Sequence, residues 1–289
     1  MNRTSAASLA ELERHELAHW RPSHCEPLGP WLLRAHHGFT GRANSVLALG
    51  NPATHGLDLG EALRRVHAFY TARSLPVRMS LPVPADCPAP VAGPATALPV
   101  EALAALPELR DGAEQLALRA AVDAAGWHPG AGTSAYTLTS TPERLLAEPA
   151  TPLPDGLNAT RTDTPDAAWL ATYRYLGQDL PPAGSSLLLS APRQAFFTVR
   201  DPAADVTAAV ARGSLDGDLV GVTAVEVHPT YRRRGLARHL LWAIADWAAA
   251  AGARRAFLQT AAANGAAHRL YLSSGFRVHH RYDYLTRTG

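Results

Sequence analysis

Apolar and polar positions alternate with different periods along the chain, and each period predicts an element. Leu9, Leu12 and Leu17 form one stripe with charges between them, which predicts a helix over residues 5–20. Residues 31–36 and 43–49 have the dense apolar composition of strands, with a turn at Gly38 and Gly41 between them. A second helix is expected over 59–74, with Leu63, Val66, Phe69 and Tyr70 on one side and Pro76 as a stop just beyond it. Residues 77–81 read as a strand, and the Pro/Ala-rich stretch 82–100 as an irregular loop. A third helix, 111–125, should be capped by Asp111 and ended by Gly126, and 133–139 has strand composition. The run 148–156, with three prolines and a closing Asp-Gly, is the best linker and divides the chain into 1–150 and 151–289.

The second half has a different rhythm. Residues 157–162 predict a strand, and 164–178 a helix opened by Thr164 as N-cap and Pro165 in the first turn. Three strand-like runs follow at 194–200, 205–212 and 218–228, with Asp216-Gly217 as a hairpin turn. A long helix, 234–251, presents Leu240, Leu241, Ile244, Trp247 and Ala248 on one side and stops at Gly252. A strand (255–260), a helix (264–273) and a strand (276–285) complete the pattern. The first half has a strand–strand–helix–strand–helix–strand order that echoes part of the second.

Composition narrows the class. With 289 residues, 47% apolar and 18% charged, the chain can fill the cores of two domains. No apolar run is long enough to cross a bilayer, and residues 1–20 lack the apolar centre of a secretion signal. A cytoplasmic protein without a membrane partner is expected. Cys25 and Cys87 fit no disulfide framework or metal spacing. His15 and His19 stand four apart on a predicted helix but lack a third ligand, so they read as surface histidines; His36-His37 and His279-His280 give no stronger metal signal. No metal is expected. The net charge of +2 is small, which disfavours nucleic acid as a partner. Every basic residue other than histidine is arginine; the chain contains no lysine.

The chemistry concentrates between Val225 and Ala237, in the run VEVHPTYRRRGLA. A strand enters a turn that opens a long helix, and a helix start offers unpaired N–H groups and partial positive charge to a phosphate. Gly235 and Ala237 are small enough for close approach, and Arg232, Arg233 and Arg234 add positive charge. Neither a P-loop nor a dinucleotide glycine pattern is present. The run resembles the pyrophosphate-binding motif of the GNAT superfamily of N-acetyltransferases, V-x-P-x-x-[QR]-x-x-G-x-[GA], with Val227, Pro229, Arg232, Gly235 and Ala237 in register. A second run, NGAAHRLYLSSGF from Asn264 to Phe276, resembles the family's N-x-x-A-x-x-L-Y-x-x-x-G-F. The resemblance covers about 157–285.

The resemblance implies an α/β (α+β) fold, a mixed, mostly antiparallel twisted sheet flanked by helices. It implies acetyl-CoA as cosubstrate, held between two splayed parallel strands, 218–228 and 255–260. Val225 and Val227 would pair with the pantetheine arm, and Val227 would offer its N–H to the thioester carbonyl. The N–H groups of Arg232, Arg233, Arg234, Gly235, Leu236 and Ala237 would hold the diphosphate. Asn264 would cap its helix and bond the arm, a role compatible with a plain N-cap. Tyr271 matches the general acid that protonates the leaving thiolate. The resemblance names no base; Glu226 is the candidate, pointing away from Val225 and Val227, with His228 as second choice. The expected reaction is acetyl transfer to a primary amine of a small molecule or protein. The alternatives are a non-catalytic acyl-CoA-binding regulator, against which Tyr271 argues, and a nucleic-acid binder using Arg232–Arg234.

The first half lacks both motifs and is expected to be a degenerate second copy. Three roles stay open for it: completing a substrate cleft, forming a homodimer surface, or stabilising the second half. Its segment 38–45 reads equally as a cleft lining or a hairpin turn.

Overall fold

The computed structural model describes residues 8–87, 98, 102, 104–175 and 177–287. The first half contributes α1 (Leu9–Glu16), β1 (His24–Leu28), β2 (Trp31–Ala35), β3 (Val46–Leu47), α2 (Leu59–Thr71), β4 (Met79–Val83), α3 (Gly112–Ala124), β5 (Trp127–Ser140) and α4 (Pro142–Leu145). The second contributes β6 (Asn158–Thr162), α5 (Ala167–Thr172), α6 (Pro182–Leu188), β7 (Arg193–Asp201), β8 (Val206–Asp216), β9 (Leu219–Val227), α7 (Leu236–Ala250), β10 (Arg255–Ala261), α8 (Gly265–Ser273) and β11 (Arg277–Arg287).

All these strands join one 11-stranded sheet in the order β1-β2-β3-β4-β11-β5-β10-β9-β8-β7-β6. Outward from the β11–β5 pairing the two half-sheets follow the same plan, with β6 as one extra strand at the second half's edge. Each half has one parallel pair, β3 with β4 and β9 with β10, and every other pairing is antiparallel. The halves exchange their last strands. β11, the end of the chain, lies against β4 of the first half, and β5 of the first half lies against β10 of the second. β5 and β11 pair along most of their length and form the seam. At the seam, buried Asp283 accepts from Arg119 Nη1 at 2.6 Å and from Ser134 Oγ at 2.6 Å.

Two main cores follow from this plan. One packs α7 through Leu236, Leu240, Leu241, Ile244 and Trp247 against β7–β10. The other packs α2 and α3 through Val66, Phe69, Tyr70, Leu118 and Val122 against β1–β4. A smaller cluster, Leu12 with Leu219 and Phe257, places α1 on the second half's strands. Among the described residues no helix is long and apolar enough to cross a membrane.

Several local expectations change. The helix expected over 5–20 is α1 plus a 3-10 turn at Leu17–His19, with residues 5–7 outside the described ones. Asp111 does not cap its own helix; its carboxylate accepts from Ser8 Oγ, Leu9 N and Ala10 N, so it caps α1 across a gap of about a hundred residues. The expected helix 164–178 shortens to α5, capped by Asp166 rather than Thr164, because Asp166 Oδ1 is the oxygen that reaches Trp169 N–H at 2.7 Å. β1 and α6 carry no periodicity long enough to register in the sequence. Most of the loop expected at 82–100 lies outside the described residues. His19 is not a surface histidine: it is 1% exposed, with Nδ1 2.9 Å from Ser214 Oγ and its ring 4.9 Å from that of Phe257.

Candidate functional site

The parallel pairing of β9 with β10 stops at Val222 and Leu258. Beyond that point the two strands part. The cause lies in β9: the register with β8 shifts between Val210 and Arg212, and Ala224 takes a φ of +55°. Such a bulge bends its strand and takes it out of pairing. His228 N–H donates to Ala208 O at 2.9 Å, on the β8 side. Strand alternation then turns the N–H of Glu226 to β8 and those of Val225 and Val227 toward the gap.

The turn after β9 is shaped for an anion. Arg233 and Gly235 have φ of +65° and +81°, and Gly235 is the N-cap of α7 with no side-chain hydrogen bond to the helix start. The first N–H groups of α7 therefore have no capping oxygen, and an uncapped helix start attracts negative charge. The side chains of Arg232, Arg233 and Arg234 are exposed around it, while Leu236 is buried and Ala237 half-buried. Thr151 of the linker packs beside the turn: a Cβ on Gly235 would lie 2.7 Å from Thr151 Cγ2. These features fit the diphosphate of a coenzyme A thioester.

Tyr271 lies on α8 with its ring against Phe276 and lines the same cleft as Val222–Val225 and Thr260. Among the described residues its hydroxyl has no hydrogen-bond partner. Burial, helped by the Glu226 carboxylate, pushes its pKa up to about 12, so the phenol keeps its proton at neutral pH. Asn264 Oδ1 accepts from Ala267 N–H at 3.1 Å, capping α8, and its residue also lines the cleft. Glu226 and His228 instead line a neighbouring cavity with Arg174 and Arg232. Glu226 Oε1 is 3.6 Å from Arg232 Nη2, and burial raises its pKa despite that arginine. Among the described residues no group of three or more potential ligands could hold a metal ion.

The cleft has a volume of about 440 Å³, and its far wall comes from the first half and from β11, the strand exchanged into it. Thr40, Gly41 and Arg42 reach it from the loop before β3, Arg78 from the start of β4, Thr133–Ala135 from β5, and Tyr282 and Tyr284 from β11. The segment 38–45 is thus both a turn and a cleft lining. Gly41 is required by close packing, since a Cβ there would lie 2.6 Å from Tyr284 Cζ. Gln259 on β10 holds the floor: it accepts from Arg42 Nη1 at 2.7 Å and donates to Glu16 of α1. Of these residues only Thr40, Gly41 and Arg42 stood in a stretch the sequence singled out. Arg78, Gln259, Tyr282 and Tyr284 come together through the strand exchange, which leaves no local signal.

A cleft at a strand splay, in a strand that runs on into an uncapped helix start, is the arrangement the resemblance to the GNAT superfamily implied, and the comparisons with known proteins show that superfamily. The chain belongs to the family described as "Probable histone acetyltransferase Rv0428c C-terminal", which matches over residues 6–86 and 85–285. Among solved structures it is similar to a GCN5-related N-acetyltransferase from Kribbella flavida, at 17% identity and a TM-score of 0.64, over 98% of this chain and 97% of that one. A tandem GNAT protein from the clavulanic acid biosynthesis pathway superposes with a TM-score of 0.57 at 15% identity, over 83% of this chain and 74% of the other. A GCN5-related N-acetyltransferase from Sphaerobacter thermophilus gives 0.56 at 19% identity, over 85% and 73%. No curated protein matches the sequence. At these identities the structural likeness is one of fold.

Proposed function

We propose that the protein is an acetyl-CoA-dependent N-acetyltransferase acting on a primary amine by direct attack in a ternary complex. The observation that carries this reading is an unpaired strand edge at Val225–Val227 that runs on into an uncapped helix start at Gly235–Ala237, with the free phenol of Tyr271 in the cleft that Val225 lines. The backbone of Arg232–Ala237 would hold the diphosphate, with Arg232, Arg233 and Arg234 adding charge at the mouth. Val225, Val227 and Asn264 would hold the pantetheine arm. When bound, acetyl-CoA supplies the activated acetyl group.

In this reading Val227 N–H holds the carbonyl oxygen as negative charge grows on it. Tyr271 gives its proton to the departing sulfur. Glu226 takes the proton of the amine; its raised pKa brings it nearer the operating pH, as a general base needs. Its place in the adjoining cavity requires water to carry the proton. The free phenol supports catalysis over mere acyl-CoA binding, since a regulator has no use for a proton donor at the thioester.

The test is release of CoA thiol from acetyl-CoA in the presence of an amine panel, with Tyr271→Phe alongside. The expected result is a fall in kcat of about 100-fold, the usual scale of acid catalysis, with acetyl-CoA affinity nearly unchanged. Equal turnover by the variant would remove Tyr271 from its role.

A further inference from the structure

The cleft that faces Tyr271 is lined by three arginines, Arg42, Arg78 and Arg174, and, among the described residues, by no aspartate or glutamate. Arg174 is exposed and paired with Asp179 at 3.1 Å. Among the described residues neither of the other two forms an ion pair with a carboxylate. Arg42 gives Nη1 to the amide oxygen of Gln259, and its guanidinium lies 5.1 Å from the centre of the Trp20 ring. Arg78 is half-buried, and its guanidinium lies 5.7 Å from the centre of the Tyr284 ring.

A fourth guanidinium lies just behind the wall. Arg212 on β8 is 0% exposed and stands 5.9 Å from the same Trp20 ring. Its Nη1 donates to His19 O and to Thr223 Oγ1, both at 3.2 Å, and Thr223 lines the cleft. Its Nε and Nη2 have no hydrogen-bond partner. The Glu16 carboxyl acts on Arg42 through space but is held behind Gln259, outside the cleft lining. Burial and the neighbouring Glu13 raise its pKa well above the usual range, while Arg42, Arg34 and the Gln259 amide act in the opposite direction. Buried positive charge without a counter-ion is costly, and an incoming anion relieves that cost.

We propose that this wall is a subsite for an anionic group on the acceptor, so that the substrate is a small amine that also carries a carboxylate or phosphate. The proposal rests on the acetyltransferase reading and names its substrate class. Arg78 and Arg42 take the anion by charge-assisted hydrogen bonds, and the phenols of Tyr282 and Tyr284 flank it. That anchor leaves the amine free to face the strand edge near Tyr271. A cleft volume of about 440 Å³ suits a ligand of that size. A lysine-rich protein tail would bring positive charge against the same wall, and like charges disfavour that pairing.

The experiment measures CoA release from acetyl-CoA with matched acceptors: amino acids as free acids and as carboxamides, O-phosphoethanolamine against ethanolamine, and a lysine-rich peptide with spermidine as cationic controls. The expected result is that a free acid or the phosphate outruns its neutral counterpart by about tenfold or more in kcat/KM, the worth of one charged hydrogen bond. The preference should shrink to about threefold or less in Arg78→Gln and in Arg42→Gln, with thermal melting as the fold control. The two pair types separate a carboxylate from a phosphate ligand. A panel in which no anionic amine outruns its neutral counterpart overturns the proposal, and so does a preference that survives both variants. Acetylation of the cationic controls alone would overturn it while leaving the acetyltransferase reading in place; failure to bind acetyl-CoA, read separately by calorimetry, would strike that reading itself.

Discussion

The two parallel strand pairs of the sheet have the same plan and opposite fates. Between β9 and β10 the gap is open and leads to a helix start with no capping side chain. Between β3 and β4 a side chain closes it. Gln115 of α3 donates Nε2 to Ala48 O at 3.1 Å and to Pro82 O at 2.8 Å, and accepts from Gly50 N–H at 2.6 Å. One amide thus satisfies the backbone groups that a bound arm would use in the other half. The helix that follows, α2, is capped by a carboxylate, Asp58, which accepts from Glu61 N–H at 3.1 Å. Glu61 adds a second negative charge in the first turn, held by Arg64 and Arg65. An anion-seeking helix start has become an anion-repelling one. In the proposed reading, a duplicated fold would keep or lose a ligand through a few groups at the splay and the cap, while the sheet itself stays the same.

The sharpest way to break the comparison is to cut the halves apart. Residues 151–289 alone lose β5, which covers both β10 and β11, and lose α1 from the underside of Leu219 and Phe257. Expression of this fragment should give insoluble or unfolded protein; a soluble fragment with native-like melting would show that the second half stands alone.

A smaller effect is expected from Gln115→Ala. It leaves Ala48 O, Pro82 O and Gly50 N–H without their partner, at a cost of about 1–3 kcal/mol for buried polar groups left unsatisfied. Denaturant unfolding should report the loss. The variant should gain no second acetyl-CoA site, because Asp58 still caps α2; a gained site would mean that the plug alone separates the halves.

The mildest probe is acid. Burial first, then Arg212, lowers the pKa of His19 to about 3, and burial with His280 does the same for His279. Both histidines lie where the halves meet. The folded state binds fewer protons than the unfolded one between pH 6.5 and about 3, so stability is intact above that window and falls as pH drops through it, by up to about 1.4 kcal/mol per pH unit for each histidine. Melting temperature against pH should show this slope, and His19→Gln should flatten it. An unchanged slope would place the acid sensitivity elsewhere.

Much of the second half was legible because its signals are local. The 3.6-residue stripe of α7, the hairpin at Asp216-Gly217 and the Asn264 cap each sit within one stretch of chain, as do both motif runs. The bulge at Ala224 was not legible: an alanine with positive φ has no sequence mark. Nor was the exchange of β5 and β11, since edge-to-edge pairing of strands about 150 residues apart depends on topology rather than pattern. That is why Arg78, Tyr282 and Tyr284 read as ordinary strand residues, and why Asp111 read as the cap of α3 when it caps α1.

The most direct test of the account is calorimetric titration of acetyl-CoA into the full chain and into Ala237→Asp. Ala237 is half-buried in the first turn of α7, so aspartate can be placed there without the strain that any side chain at Gly235 would bring. The account predicts one site per chain for the native protein and a loss of affinity of about 100-fold or more in the variant, with melting unchanged. Two sites per chain, or equal affinity in the variant, would contradict the claim that one splay alone takes the cosubstrate at the Gly235 turn.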